Sequence, residues 1–278
     1  MEDKLVEIKV IMTNLPEENM RLLKAYNDTL NNNGYGFQFS VMKKIIGFSG
    51  RLFVQWQWLE AEYPVQLREK STKIDIVGHF ARNNMEYYLL AECKRVYGGT
   101  WCFAHSRYAN QENGTFYYFE KIQYTPDGYV GSIYANKEYF SGPEIYNVGF
   151  EIRLQNGNTP AKPNDSIEKA LSQAILGLNG FIEPMAHSTG HISRIVIPVI
   201  FTTAQLWVSR QDLSEADIDT GNIEIDNSKF ENKKWIAYKY HVSPEYRHSR
   251  TQPSSYARTV FIVNSGGIDE FLHWVTNL

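Results

Sequence analysis

The sequence contains only two cysteines, Cys93 and Cys102, in 278 residues. That is too few for a disulfide framework and offers no paired metal knuckle, so the chain is expected in a reducing compartment, the cytoplasm. No stretch approaches the roughly 20 apolar residues that span a bilayer. Met1 to Val10 is charged rather than apolar, and neither secretion nor membrane insertion is expected. An excess of one charge is missing too. With 28 Lys and Arg against 31 Asp and Glu, the net charge is −3, so the chain lacks the basic field that binds phosphate backbones by itself. Contact with nucleic acid would have to be local. Basic residues do gather around Arg68, Lys70, Lys73, Lys94 and Arg95, a group that reads equally well as a solvated mixed surface. Without a glycine-rich loop of Walker or dinucleotide-binding type, an NTPase or a Rossmann oxidoreductase has little support. Internal repeats and low-complexity tracts are absent as well.

What is present is the composition of a folded protein, 43% hydrophobic and 14% aromatic, long enough to bury a sizeable core. Leu15 to Leu30 has mostly helical spacing and ends at Asn31-Asn32-Asn33-Gly34. Leu52, Phe53, Trp56 and Leu59 form one stripe and predict a second helix from about Gly50 to Tyr63, stopped by Pro64. Val65 to Arg68, Lys73 to Phe80 and Glu86 to Lys94 are predicted strands, the last two joined as an antiparallel hairpin through Arg82-Asn83-Asn84. From about 98 to 163 the sequence becomes rich in Trp, Tyr and Phe between turn signals and predicts a β-rich insertion. Its aromatics could stack on bases, but a small sheet also needs an aromatic face to form a core, which is the favoured reading. A helix from Asp165 or Ser166 to about Gly180 then leads into a nearly continuous apolar strand, Ile192 to Phe201. A strand pair, Trp235 to Val242 and Thr259 to Val263, precedes a final helix from Ile268 to Thr276. The expectation is an α/β fold: one domain with a core of about 40–97 and 164–278, in which a mixed β-sheet is flanked by helices.

One constellation carries chemistry. Lys73-Ile74-Asp75-Ile76-Val77 places a single carboxylate in an apolar strand, and Leu89-Leu90-Ala91-Glu92-Cys93-Lys94 ends the next strand with an acid and an amine two residues apart. Residues i and i+2 share a face, so Glu92 and Lys94 project together, and hairpin pairing can bring Asp75 beside them. Two carboxylates close together in a partly buried cleft favour a cation between them. Hard oxygen ligands suit Mg²⁺, or Mn²⁺ in its place, better than Zn²⁺. Lys94 would offset charge developing on a phosphate under attack. Glu-x-Lys alone says little, because Glu2/Lys4, Glu7/Lys9 and Glu231/Lys233 repeat it in charged sequence. A cross-strand ion pair at a sheet edge, contributing about a kcal/mol or less if exposed, is the competing structural explanation.

The order of helix, strand, strand with Asp75, strand ending Glu92-Cys93-Lys94, helix and strand resembles the PD-(D/E)XK nuclease superfamily, the restriction-endonuclease-like fold. The resemblance spans roughly Gly50 to Val96 and Asp165 to Trp207, about a third of the chain, on a short and degenerate motif. Ile74 stands where the name-giving proline would be. The resemblance implies a metal-dependent endonuclease acting on nucleic acid, with double-stranded DNA favoured and a homodimer as the usual way to cut both strands. It implies that Asp75 and Glu92 bind the metal, that the main-chain carbonyl of Cys93 joins them, and that Lys94 positions or activates water. A glutamate on the preceding helix, Glu60 or less readily Glu62, would assist. A polar residue on the following helix also recurs in such nucleases; Gln173 fits that place, and fits an ordinary helix-surface glutamine equally well.

Other sites are weaker. His187 and His191 lie in a loop-like stretch with no third zinc ligand nearby in sequence. The Cys93 thiol should point away from the Glu92/Lys94 face into packing. The alternative of another class is a nucleic-acid or protein binding module that keeps the nuclease fold without cutting.

Overall fold

A computed structural model describes residues 17–48, 56–82, 85–106, 120–125, 128–133, 144–155, 159–160, 166–185, 193–241 and 257–278. Its helices are α1 (Glu17–Asn32), α2 (Tyr35–Gly47), α3 (Ser166–Met185) and α4 (Ile268–Thr276). The strands are β1 (Trp58–Leu67), β2 (Lys70–Arg82), β3 (Met85–Lys94), β4 (Thr100–His105), β5 (Glu120–Thr125), β6 (Gly128–Ile133), β7 (Ile145–Tyr146) and β8 (Val148–Ile152). They continue with β9 (Leu154–Gln155), β10 (Thr159–Pro160), β11 (Ser193–Thr202), β12 (Gln205–Asp212), β13 (Phe230–Lys233), β14 (Trp235–His241) and β15 (Ala257–Asn264).

The main sheet runs β1-β2-β3-β11-β15-β14-β7. Its first three strands are antiparallel neighbours, whereas β3, β11 and β15 are parallel. The centre of the sheet is covered on both faces, and this explains the near-continuous apolar run of β11. On one face α3 lays down Ile167, Leu171, Ile175, Leu178 and Ile182 at helical spacing, and they share a core with Val77, Leu90, Val196 and Ile200. On the other face α2 contributes Val41 and Ile45, and α4 contributes Ile268, Phe271, Leu272 and Val275, against Ile76, Leu89, Ala91, Val199 and Phe261. Each large apolar side chain so buried contributes roughly 1.5–3 kcal/mol relative to exposure, so these two cores stabilise the central strands. The fold is α/β, a mixed sheet flanked by helices. No helix among the described residues is long and apolar enough to cross a membrane.

A second sheet, ordered β13-β12-β4-β8, packs on the α3 side. Trp101, Phe103, Leu206 and Val208 from it are buried in the same core as α3. The aromatic-rich stretch expected as an insertion is therefore woven into the rest: β4 pairs with β12, β5 with β11, and β7 with β14. Trp101, Phe103 and Tyr146 are buried packing residues. The aromatics at 108, 116–119, 134, 139 and 140 lie outside the described residues, as do His187 and His191.

The hairpin read from the sequence is present, with β2 and β3 in register from Ile76 against Ala91 to Arg82 against Met85. The final helix spans Ile268–Thr276 as expected. The helix expected over Gly50 to Tyr63 is not found where the chain is described. Residues 49–55 lie outside that description, and Trp58–Leu67 is a strand paired along its length with β2. Val65 to Arg68 is thus the end of β1 rather than a separate element. Trp56 and Leu59 do reach a core, beside Ile76 and Phe80, but from extended chain.

Candidate active site

The site begins with a local reversal in β1. Glu62 has φ +57°, in the left-handed region, which a residue with a Cβ adopts at a cost. Around it the strand exchanges faces. Leu59 packs toward the α2/α4 core, whereas Tyr63 and Val65 pack toward the α3 core, although all three have the same parity in the chain. The partner strand reverses with it, since Ile76 faces the α2/α4 core and Ile74 the α3 core. The pairing of Ala61 with Ile76 and of Tyr63 with Ile74 leaves Glu62 opposite Asp75. Two acids therefore meet where the hairpin turns over.

Asp75 is tied to the third strand. Its Oδ2 accepts a hydrogen bond from the Cys93 main-chain N–H at 2.6 Å. In a paired strand a residue's N–H and C=O leave the chain toward the same neighbour, so the Cys93 carbonyl also faces the edge where Asp75 lies. The Cys93 side chain goes the other way, packed against the α2/α4 core, and burial pushes its thiol well above the ordinary range. Cys93 thus offers the site its main chain and not its sulfur.

Continuing the β2/β3 register past Ile76 and Ala91 sets Asp75 opposite Glu92. Glu92 is 6% exposed. Burial first, then the charge of Asp75, raises its carboxyl from 4.5 to about 7, against the opposing pull of Lys94. Asp75 is raised as well, mainly by burial, with the Cys93 hydrogen bond and Lys94 working against the shift and Glu62 adding to it. Lys94 bridges outward from this floor. Its Nζ lies 2.6 Å from Glu92 Oε1 and donates to Gln173 Oε1 at 2.6 Å. Asp75, Glu92 and Lys94 are thus brought together, and Gln173 reaches them from α3.

That approach involves small residues in α3. A Cβ on Gly177, one turn beyond Gln173, would stand 3.0 Å from Ile74, and one on Gly180 would stand 3.1 Å from Val65. A side chain at either place would require Ile74 or Val65 to give by a few tenths of an ångström, so the two glycines ease the close approach of the helix to the reversed part of the hairpin.

The expected helical glutamate needs correcting. Glu60 and Glu62 are both on β1, not on a helix, because the segment is held by its ladder to β2. Glu60 stands opposite Val77, and the glutamate whose charge is felt at Asp75 and Glu92 is Glu62. Besides α3, the helix that approaches these acids, and the one that precedes them in the chain, is α2. Its Gln38, 4% exposed, donates from Nε2 to Glu62 Oε1 at 3.0 Å and to the Asp75 carbonyl at 2.8 Å. Lys73 Nζ lies 3.4 Å from Glu62 Oε2. Gln38 was not singled out from the sequence. Its signal was a polar residue three and seven positions before Val41 and Ile45, on the apolar stripe of the helix.

The donor set is two carboxylates and a main-chain carbonyl, all hard oxygens, with a third carboxylate behind them. This suits Mg²⁺ or Mn²⁺, which keep several waters and need only one or two carboxylates from the protein. Among the described residues no group of three or more His, Cys, Asp or Glu side chains could hold a metal ion, so any ion here would rest on two carboxylates, the main-chain carbonyl and water. Comparison of the chain with protein-family models, with curated proteins and with solved structures gave no match in any of the three.

Proposed function

We propose that the protein is a divalent-metal-dependent endonuclease of the restriction-endonuclease-like type, hydrolysing phosphodiester bonds, with double-stranded DNA as the favoured substrate. The observation that carries the reading is the convergence of Asp75, Glu92 and Lys94 on one side of the hairpin, with Glu92 buried and its carboxyl raised to about 7. Burying two acids side by side is costly unless a cation compensates them, and Lys94 offsets only one charge.

Asp75 and Glu92, with the Cys93 carbonyl, would hold Mg²⁺ or Mn²⁺. When bound, such an ion polarises a scissile phosphate and lowers the pKa of an attacking water. The protein's own part is positioning. Asp75 is oriented by the Cys93 N–H, and Glu92 is held in a nearly dry floor. Lys94 keeps a positive charge at the mouth, where it can orient water and stabilise negative charge on the phosphate in the transition state. Gln173 accepts one Lys94 N–H and fixes the direction of the ammonium. Cutting both strands of a duplex requires two such sites, which a twofold dimer would supply.

A second reading, a binding module with this fold and no cleavage, is favoured by one observation. Lys94 already pairs with Glu92 at 2.6 Å, so the cluster is partly satisfied by itself. Incubating plasmid DNA and RNA with the protein in Mg²⁺ or Mn²⁺, beside Lys94→Ala, separates the two. Cleavage by the wild type that the variant loses supports the nuclease; retention of nucleic acid by both, with no cleavage by either, supports the module.

A further inference from the structure

Gln38 is an expensive residue where it stands. On α2 it precedes Val41 and Ile45, both buried, and it is itself 4% exposed. A side-chain amide withdrawn from water is tolerated only when its donors find acceptors. A leucine or methionine would fill a similar volume without that demand. Both acceptors of the Gln38 amide belong to the acid pair: Glu62 Oε1 at 3.0 Å and the Asp75 carbonyl at 2.8 Å. One helical side chain thus spans two strands at the register position where Glu62 faces Asp75. There β1 also adopts its left-handed φ of +57°, and sparsely populated backbone conformations persist only where surrounding contacts over-determine them.

We infer that Gln38 is a positioning residue for divalent-ion binding at Asp75 and Glu92, acting through Glu62 and through the Asp75 peptide. Holding the Asp75 carbonyl fixes its peptide plane and so the direction in which the carboxylate leaves the strand. Holding Glu62 Oε1, while Lys73 approaches Oε2 at 3.4 Å, keeps a third carboxylate at the register position opposite Asp75. Glu62 then raises the attraction for a cation without having to touch it. Outer partners of this kind typically change metal affinity by about 10- to 100-fold when removed. The inference rests on the nuclease reading for the presence of the ion, and it adds a residue that the motif does not contain.

The test is Mn²⁺ binding measured by calorimetry on the full chain, together with melting curves in EDTA. The proteins compared are wild type, Gln38→Leu, Glu62→Gln and the double variant. Expected are Mn²⁺ binding by the wild type and a loss of about 10-fold or more in Gln38→Leu, with an EDTA melting midpoint within a few degrees of wild type. Glu62→Gln, whose side chain lies at a strand surface and keeps its volume, should show a comparable loss even if Gln38→Leu folds poorly. In the double variant the combined loss should fall short of the product of the single losses, because the two residues act along one route. Unchanged Mn²⁺ affinity in a folded Gln38→Leu, or in Glu62→Gln, overturns the inference while leaving the nuclease reading standing. Absence of Mn²⁺ binding by the wild type overturns both.

Discussion

The Cys93 main-chain N–H donates to Asp75 Oδ2 at 2.6 Å, so the first acid of the site is oriented by the backbone of the neighbouring strand. The Asp75 carboxylate is thereby tied to the end of β3 that carries Glu92 and Lys94. Because the thiol packs on the opposite face, Cys93→Ala should retain cleavage within a few-fold and lose about 1 kcal/mol of stability from the small cavity. Urea titration beside a cleavage assay checks this. A large loss of cleavage in a stable variant would show that the sulfur, not the peptide, matters.

Glu92 gives the metal-free protein a characteristic pH dependence. Its folded pKa, raised from 4.5 to about 7 by burial first and Asp75 second, means that the native state binds the extra proton between those values. The contribution is thus fully present below about 4.5 and lost as pH rises through about 7. Glu92→Gln has no such proton to lose. In EDTA, the stability of Glu92→Gln relative to wild type should increase from pH 5 to pH 8 by on the order of 1–3 kcal/mol. A difference that is flat, or of opposite slope, contradicts the buried-acid picture.

The backbone at Glu62 permits a cleaner comparison. Glycine adopts φ +57° freely and alanine does not. Glu62→Gly and Glu62→Ala both lose the carboxylate and its bond from Gln38, so their difference isolates the strain. Glu62→Gly should be the more stable by about 1 kcal/mol, read from chemical denaturation. Equal stability would mean that the reversal relaxes once the side chain is gone.

The same reversal explains what the sequence hid. Alternation is the mark of a half-buried strand, but in β1 the faces exchange at Glu62. Leu59 and Tyr63 therefore point to different cores, and the stripe formed with Trp56 passes for helical. Asp75, Glu92 and Lys94 were legible because strand parity and a single hairpin register suffice to bring them together, and α4 because its apolar spacing is uninterrupted. Gln38 was not, since its role depends on a helix crossing behind two strands that no local spacing encodes. The pairing of β4 with β12, across about a hundred residues of sequence, was equally out of reach.

Close approach of α3 to the hairpin should make Gly177 intolerant of bulk. Gly177→Leu would collide with Ile74, whose neighbour is Asp75, and displace the turn that carries Gln173. A cost of roughly 1–3 kcal/mol is expected from overpacking, seen as a lower melting midpoint. A midpoint equal to wild type would mean that the helix moves away freely.

The most direct test of the central claim is single-turnover cleavage of a duplex DNA substrate in Mn²⁺, comparing wild type with Asp75→Asn and Lys94→Ala at saturating protein. The expected result is cleavage by the wild type, abolished by EDTA, with the rate lowered by about 10²-fold or more in each variant while each remains folded. Cleavage that persists at the wild-type rate in both variants, or no cleavage by a wild type that is folded and loaded with Mn²⁺, would contradict it.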